Sequence, residues 1–166
     1  MAGNNPKEVF VLLLSDVRRK TERSIDFFKE LTKLAEEPEV KEAIEARAFI
    51  AEKSLEKIDR AFKLINEKPA TLTGRVEEIF VEDFRREVAA IKSPVARRLF
   101  VLAKLIHLSH FRIGEYIMLV SAADLTGNFG VGVLLESCLG ENLAFVERTR
   151  RIVRKLAESK AAQATA

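Results

Sequence analysis

Four stretches of this chain, each of roughly thirty residues, place their core-type side chains at alternating steps of four and three. That period lays one stripe along an α-helix and does not fit a strand, whose faces alternate at every residue. The first stretch, about 6–36, carries Phe10, Leu14, Val17, Thr21, Ser24, Phe28 and Leu31 on one line. The second, about 38–66, carries Val40, Ile44, Arg47, Ala51, Ser54, Ile58 and Ile65. The third, about 94–125, has Leu99, Leu102, Ile106, Ser109, Ile113, Tyr116 and Val120. The fourth, about 129–158, has Val131, Leu135, Cys138, Asn142, Phe145, Thr149, Ile152 and Leu156. A shorter segment, about 73–90, holds Val76, Ile79, Phe80 and Phe84.

Proline and glycine mark where these helices begin and end. Asn5-Pro6 and Ser93-Pro94 read as N-cap followed by first helical residue. Pro38 closes one helix and opens the next, because proline disfavours the α conformation in the residue before it. Pro69 marks a loop, and Gly127-Asn128 stops the third long helix as a glycine at a helix C-terminus does.

Helices of this length, each roughly 45 Å long, with one apolar stripe apiece, pair off as a bundle. The first two are joined tightly and so run antiparallel. The third is reached through about 27 residues that include the short helix. The expected fold is therefore all-α: a ferritin-like four-helix bundle with a long crossover containing a short fifth helix. It occupies one domain over residues 1–159, with a small, polar, disordered tail at 160–166.

Composition limits the function classes. The chain has 166 residues, 48% apolar and 32% charged, with a net charge of +3, too small to announce a nucleic-acid binder. One cysteine, Cys138, excludes a disulfide framework and a cysteine-rich zinc site. The opening MAGNNPKEVF lacks the basic and apolar regions of a signal peptide. The longest apolar run, Leu99 to Leu108, is broken by Lys104 and His107, well short of a membrane span. A cytoplasmic protein with no membrane contact is the expectation. Gln163 is the only glutamine beside many Glu, Lys and Arg, a pattern reported for heat-adapted proteins.

Each core line is interrupted near its middle by something other than a large hydrophobe. The interruptions are Thr21 and Ser24, then Arg47, then Ser109 beside His110, then Asn142 beside Glu141. Midpoints of similar helices meet at one height, so these residues are expected to form one polar layer inside the bundle. A dinuclear carboxylate metal site is the chemistry that needs such a layer.

Several stretches carry a resemblance. They are Pro38-Glu39-Val40-Lys41 through to Phe62-Lys63-Leu64-Ile65-Asn66-Glu67-Lys68-Pro69, and Gly74 with Glu77-Glu78. Ser109-His110-Phe111-Arg112-Ile113, with Tyr116 and Gly127, follows the pattern Glu-His-Tyr-Glu-Ile…Tyr…Gly. Leu134-Leu135-Glu136-Ser137-Cys138-Leu139-Gly140-Glu141 closes the series. Over about 9–158 the chain resembles the YciE/YciF ferritin-like family, often labelled ferroxidase-like. The resemblance implies a stress-related role, a homodimer and a ferroxidase-like ancestry; iron or manganese is the alternative to a chain without a cofactor.

At the positions of the family's ligands the chain departs from the pattern. The inward Glu of helix 1 is replaced by Ser24, or Thr21, with Glu22 off the line. Arg47 stands where the resemblance implies a histidine, and Ser109 stands for the Glu of the Glu-His pair. His110 survives, and the last Glu-Glu pair has become Glu141-Asn142. Arginine stays protonated and repels a cation. The expectation is thus a metal-free bundle without a cofactor, in which Arg47 replaces the metal's charge and pairs with Glu141, while Ser24, Ser109 and Asn142 supply hydrogen bonds.

Other readings are weighed beside it. A reduced iron or manganese oxidase site would use His110 and Glu141, with His107 or Glu22. Arg148, Arg150, Arg151, Arg154 and Lys155, with Arg85-Arg86 and Arg97-Arg98, would form a cationic face for nucleic acid or another polyanion. Solvated helix surface is the favoured account of these cations. Cys138 reads as a small core residue. Gly127-Asn128-Phe129-Gly130-Val131-Gly132 imitates a phosphate loop but follows a helix, not a strand. The sequence names no protein partner.

Overall fold

The computed structural model describes residues 5–35, 37–72 and 75–164. Five helices follow one another: α1 (Pro6–Leu34), α2 (Pro38–Leu64), α3 (Val76–Ala90), α4 (Pro94–Leu125) and α5 (Phe129–Ala164). The described residues contain no strand. The four long helices form an all-α bundle, and α3 lies in the crossover between α2 and α4. Gly74, at the start of that crossover helix in the sequence reading, lies outside the described residues, as do Met1 to Asn4.

The ends follow from local chemistry. The Asn5 side chain accepts from the Glu8 N–H at 2.9 Å, and Ser93 accepts from the Ala96 N–H at 3.4 Å, each ahead of a proline at the first helical position. Gly127, at φ +72°, turns the chain out of α4 in a conformation that costs glycine little. Asn66, at φ +53°, does the same after α2, where the Glu67 N–H bonds back to the Phe62 carbonyl at 3.2 Å. α5 continues through Ala164, beyond the expected end near residue 158 and into the segment expected to be a disordered tail. Its last stretch is rich in alanine, the strongest helix former. Thr165, Ala166 and the side chain of Leu156 lie outside the described residues.

The core divides into two apolar clusters stacked along the bundle axis. One gathers Phe28, Ile44, Phe84, Leu102, Leu105 and Phe145. The other gathers Phe10, Leu14, Ile58, Tyr116, Leu119 and Leu135. Each long helix contributes to both, so the start of α1 meets the end of α2, the end of α4 and the start of α5. The directions are therefore up, down, down, up, with α1 beside α2 and α4, and α5 beside α4 and α2. Between the clusters each helix crosses a polar stretch: 17 to 27 on α1, 51 to 58 on α2, 108 to 116 on α4 and 138 to 145 on α5.

α5 corrects one sequence expectation. Its segment Phe129–Lys155 is long and apolar enough, by length and composition, to cross a membrane, with a mean hydropathy of 1.4 over its most apolar stretch. Within the bundle that segment buries Val131, Leu135, Cys138, Asn142, Phe145 and Thr149 along one line. The run was hidden by Glu136 and Glu141, which interrupt the letters without lowering the average below that of a spanning helix.

Candidate functional site: a buried arginine layer

The structure buries Thr21, Ser24, Ser109 and Asn142 between the two clusters, and Arg47 beside them at the edge of the cluster that holds Phe28 and Phe145, each at most 4% exposed. His110 and Glu141 are not among them. His110 is exposed, with Nδ1 2.9 Å from its own helix's Ile106 carbonyl, and His107 is exposed as well. The inward line of α4 runs Leu105, Ser109, Arg112, Tyr116, so position 110 is turned about 100° away from it. Position 141 is displaced from Asn142 on α5 in the same way.

The expected Arg47–Glu141 pair does not form. Glu141 accepts from Lys57 Nζ at 2.5 Å, and Lys57 also reaches Ser137 Oγ at 2.9 Å. Arg47 has no hydrogen bond or ion pair to any described residue, and its Nε is buried without a partner. Its guanidinium lies against two rings, 5.1 Å from the centroid of Phe28 and 5.8 Å from that of Phe145. Burial pushes its pKa down to about 10; the like charge of Arg112 adds to this, and Tyr116 and Glu77 oppose it. At neutral pH the group is still a cation.

A second buried arginine, Arg112, escaped the sequence reading. It is 5% exposed. Its Nη2 donates to both carboxylate oxygens of Glu77 at 2.8 Å, and its Nη1 donates to Glu115 Oε2 at 2.7 Å. Burial alone would lower its pKa, but Glu77 and Glu115 outweigh that and hold it above the ordinary value. A signal was present: in the family pattern Glu-His-Tyr-Glu-Ile, Arg112 stands at the second glutamate.

The charges continue outward from Arg112. Lys20 bonds Glu115 at 2.7 Å and Asp16 at 2.5 Å, and Arg19 bonds Asp16 at 3.1 Å. Arg23 pairs with Glu78. Burial works to raise Asp16, but Lys20 and Arg19 hold it below the ordinary carboxylate value. The network fastens α3 to α1 and α4. Beside it, a groove of about 260 Å³ opens between α3 and α4, floored by Phe80, Leu108 and Phe111.

The small polar groups of the layer bond their own helices. Ser24 Oγ donates to the Thr21 carbonyl at 2.8 Å, Ser109 Oγ to Leu105 at 2.9 Å, and Asn142 Nδ2 to Cys138 at 2.8 Å. Thr21 Oγ1, Ser54 Oγ, the Tyr116 hydroxyl and Asn142 Oδ1 are left buried without a well-aligned partner. Cys138 is fully buried and free, and burial raises its thiol pKa.

The donor set does not fit a metal centre. Among the described residues no three His, Cys, Asp or Glu side chains converge as a metal ion requires. Glu77 and Glu115 already neutralise Arg112. Glu22 points outward to Arg18. The C-terminal cations are engaged too: Arg148 with Glu42, Arg150 and Arg151 with Glu147, and Arg154 with Glu158, while Lys155 is exposed. Arg85 pairs with Glu30, Arg86 with Asp83 and Arg98 with Glu37.

Comparison with known proteins places this geometry. A family model described as "Domain of unknown function (DUF892)" matches residues 5–164. No curated protein matches the chain. Among solved structures, the Escherichia coli stress protein YciF superposes with a TM-score of 0.85 at 20% identity, covering 90% of this chain and 95% of that one. YcfI from Rhodopseudomonas palustris, provisionally described as a structural protein, gives 0.84 at 15% identity, covering 89% and 94%. A Xanthomonas campestris pv. campestris protein gives 0.66 at 19% identity, covering 95% and 99%. At these identities the likeness shows the fold.

Proposed function

This chain belongs to the DUF892 family, and from that premise we propose that it is a metal-free, non-catalytic member of ferritin-like architecture, with a structural, stress-related role. The observation that carries the reading is the pair of buried guanidinium groups, Arg47 and Arg112, in the layer where a metal centre would need carboxylates and imidazoles. Two fixed cations there oppose a third charge of the same sign, and the acids that would offset a metal are spent on Arg112. Descriptions of the structural neighbours as stress and structural proteins support the same role.

The reading includes a homodimer in the cytoplasm. Ile117, Met118, Phe129, Val133 and Leu143 are exposed on α4 and α5, and added Cβ atoms at Gly114, Gly130 and Gly140 would meet open space. Faces of this kind favour close approach by another protein surface. The lone, free Cys138 suits a reducing compartment.

Metal analysis by mass spectrometry tests the proposal, on untagged protein expressed with added iron, manganese and zinc. The expected content of each is below about a tenth of an equivalent. One or two equivalents of iron or manganese would overturn it, and would revive the alternative site around His107, His110 and Glu141. Salt-dependent retention on heparin or RNA would instead favour the polyanion reading.

A further inference from the structure

We propose that the centre of the bundle takes a single small monovalent anion, chloride by chemical class, with Arg47 as its cation. The charges around Arg112 balance without Arg47. Arg112, Lys20, Arg19 and Arg23 are met one for one by Glu77, Glu115, Asp16 and Glu78. Arg47, only 3% exposed, is left as a lone positive charge with an unpartnered Nε and no ion pair to any described residue. Isolated buried charges of this kind are costly, and the rings of Phe28 and Phe145 offset only part of that cost.

The surroundings supply donors rather than a counter-charge. Tyr116 lies within electrostatic reach of Arg47 and close to Ser54. The hydroxyls of Tyr116, Ser54 and Thr21 are buried without a well-aligned partner; Tyr116 and Ser54 stand close enough to share one hydrogen bond, which leaves one O–H of that pair, and that of Thr21, to turn toward an anion. One guanidinium with neutral hydroxyls matches a halide, whose single charge balances Arg47. Sulfate or phosphate would bring excess negative charge to a position where Arg47 already feels the carboxylate of Glu77. The orphaned Asn142 Oδ1 is an acceptor and does not belong to the anion's shell.

This inference rests on the reading that protein charge, and not a metal, fills the layer. Crystals of the whole chain soaked in sodium bromide, measured at the bromine and iron edges, separate the two. A bromine peak beside the Arg47 guanidinium with no iron peak is the expected result. No peak at either edge, with water alone at the centre, overturns the anion and leaves the metal-free reading standing. An iron peak in the layer overturns both. In solution, replacing gluconate by chloride at equal ionic strength is expected to raise Tm by about 5 °C in the natural chain and not in Arg47→Leu. An equal rise in both proteins overturns the assignment.

Discussion

Arg112 on α4 holds Glu77 on α3 through one nitrogen shared between both carboxylate oxygens, each at 2.8 Å, with the two side chains only 6% and 11% exposed. α3 lies outside the four-helix core, and this grip complements the apolar anchors Phe84 and Val88. The acid is one of the two carboxylates that hold this buried cation, so its loss is felt twice: α3 is loosened and Arg112 loses half of its counter-charge.

Glu77→Gln is therefore expected to destabilise the fold by roughly 2–4 kcal/mol, less than complete loss of a buried pair because Glu115 remains. Urea denaturation followed by circular dichroism measures this. Glu77→Gln combined with Arg112→Met should recover most of the loss. A double variant as unstable as the sum of the singles would show that the two residues act independently.

Arg47→Leu is expected to hold or increase stability in chloride-free buffer, by up to roughly 1–4 kcal/mol. Leucine keeps contact with Phe28 and Phe145 while removing a buried charge that no acid balances. Glu141 is unaffected because Lys57 is its partner. A clear fall in Tm for Arg47→Leu would show that the guanidinium itself holds the layer together.

Asp16 gives the acid response a defined sign. Its carboxyl is held below the ordinary value of 3.8 despite burial, by Lys20 and Arg19. On acidification the unfolded chain binds a proton at this position first. Its contribution is complete above that ordinary value and is lost as pH falls through the lower, folded value. Asp16→Asn should flatten the stability profile in that window and lower stability at pH 7. An unchanged profile would remove Asp16 from the account of acid unfolding.

Cys138 should be almost inert in the native chain. Complete burial and a raised thiol pKa both reduce the thiolate available to a disulfide reagent. Labelling is expected to follow unfolding, becoming rapid only in denaturant. Rapid labelling of the native protein would mean that α5 opens at this point.

The helices, and the height of the polar layer, were legible because period and proline punctuation act locally. Thr21, Ser24, Arg47, Ser109 and Asn142 are inward for the same reason as the hydrophobes one turn away. Pairing was not legible. His110 and Glu141 each lie one position from an inward residue, and on a helix one position is about 100°. That Lys57 and not Arg47 takes Glu141 depends on how α2 and α5 sit against each other, which no single-helix pattern records. Arg112 was hidden for a related reason: an arginine on an amphipathic helix reads as surface until a neighbouring helix brings an acid to meet it.

Two apolar clusters separated by a polar layer are expected to give two slow-exchanging bands of backbone amides with a faster band between them, a pattern that hydrogen exchange would resolve. At either band an amide is shielded by side chains from all four helices. Around Ser24, Ser109 and Asn142 the same helical carbonyls also accept from buried side chains, which compete with the backbone N–H groups for them. Every helix spans the layer, so neither half can melt alone without breaking the rods that the other half needs. The layer is a weak waist in a structure that still comes apart as one.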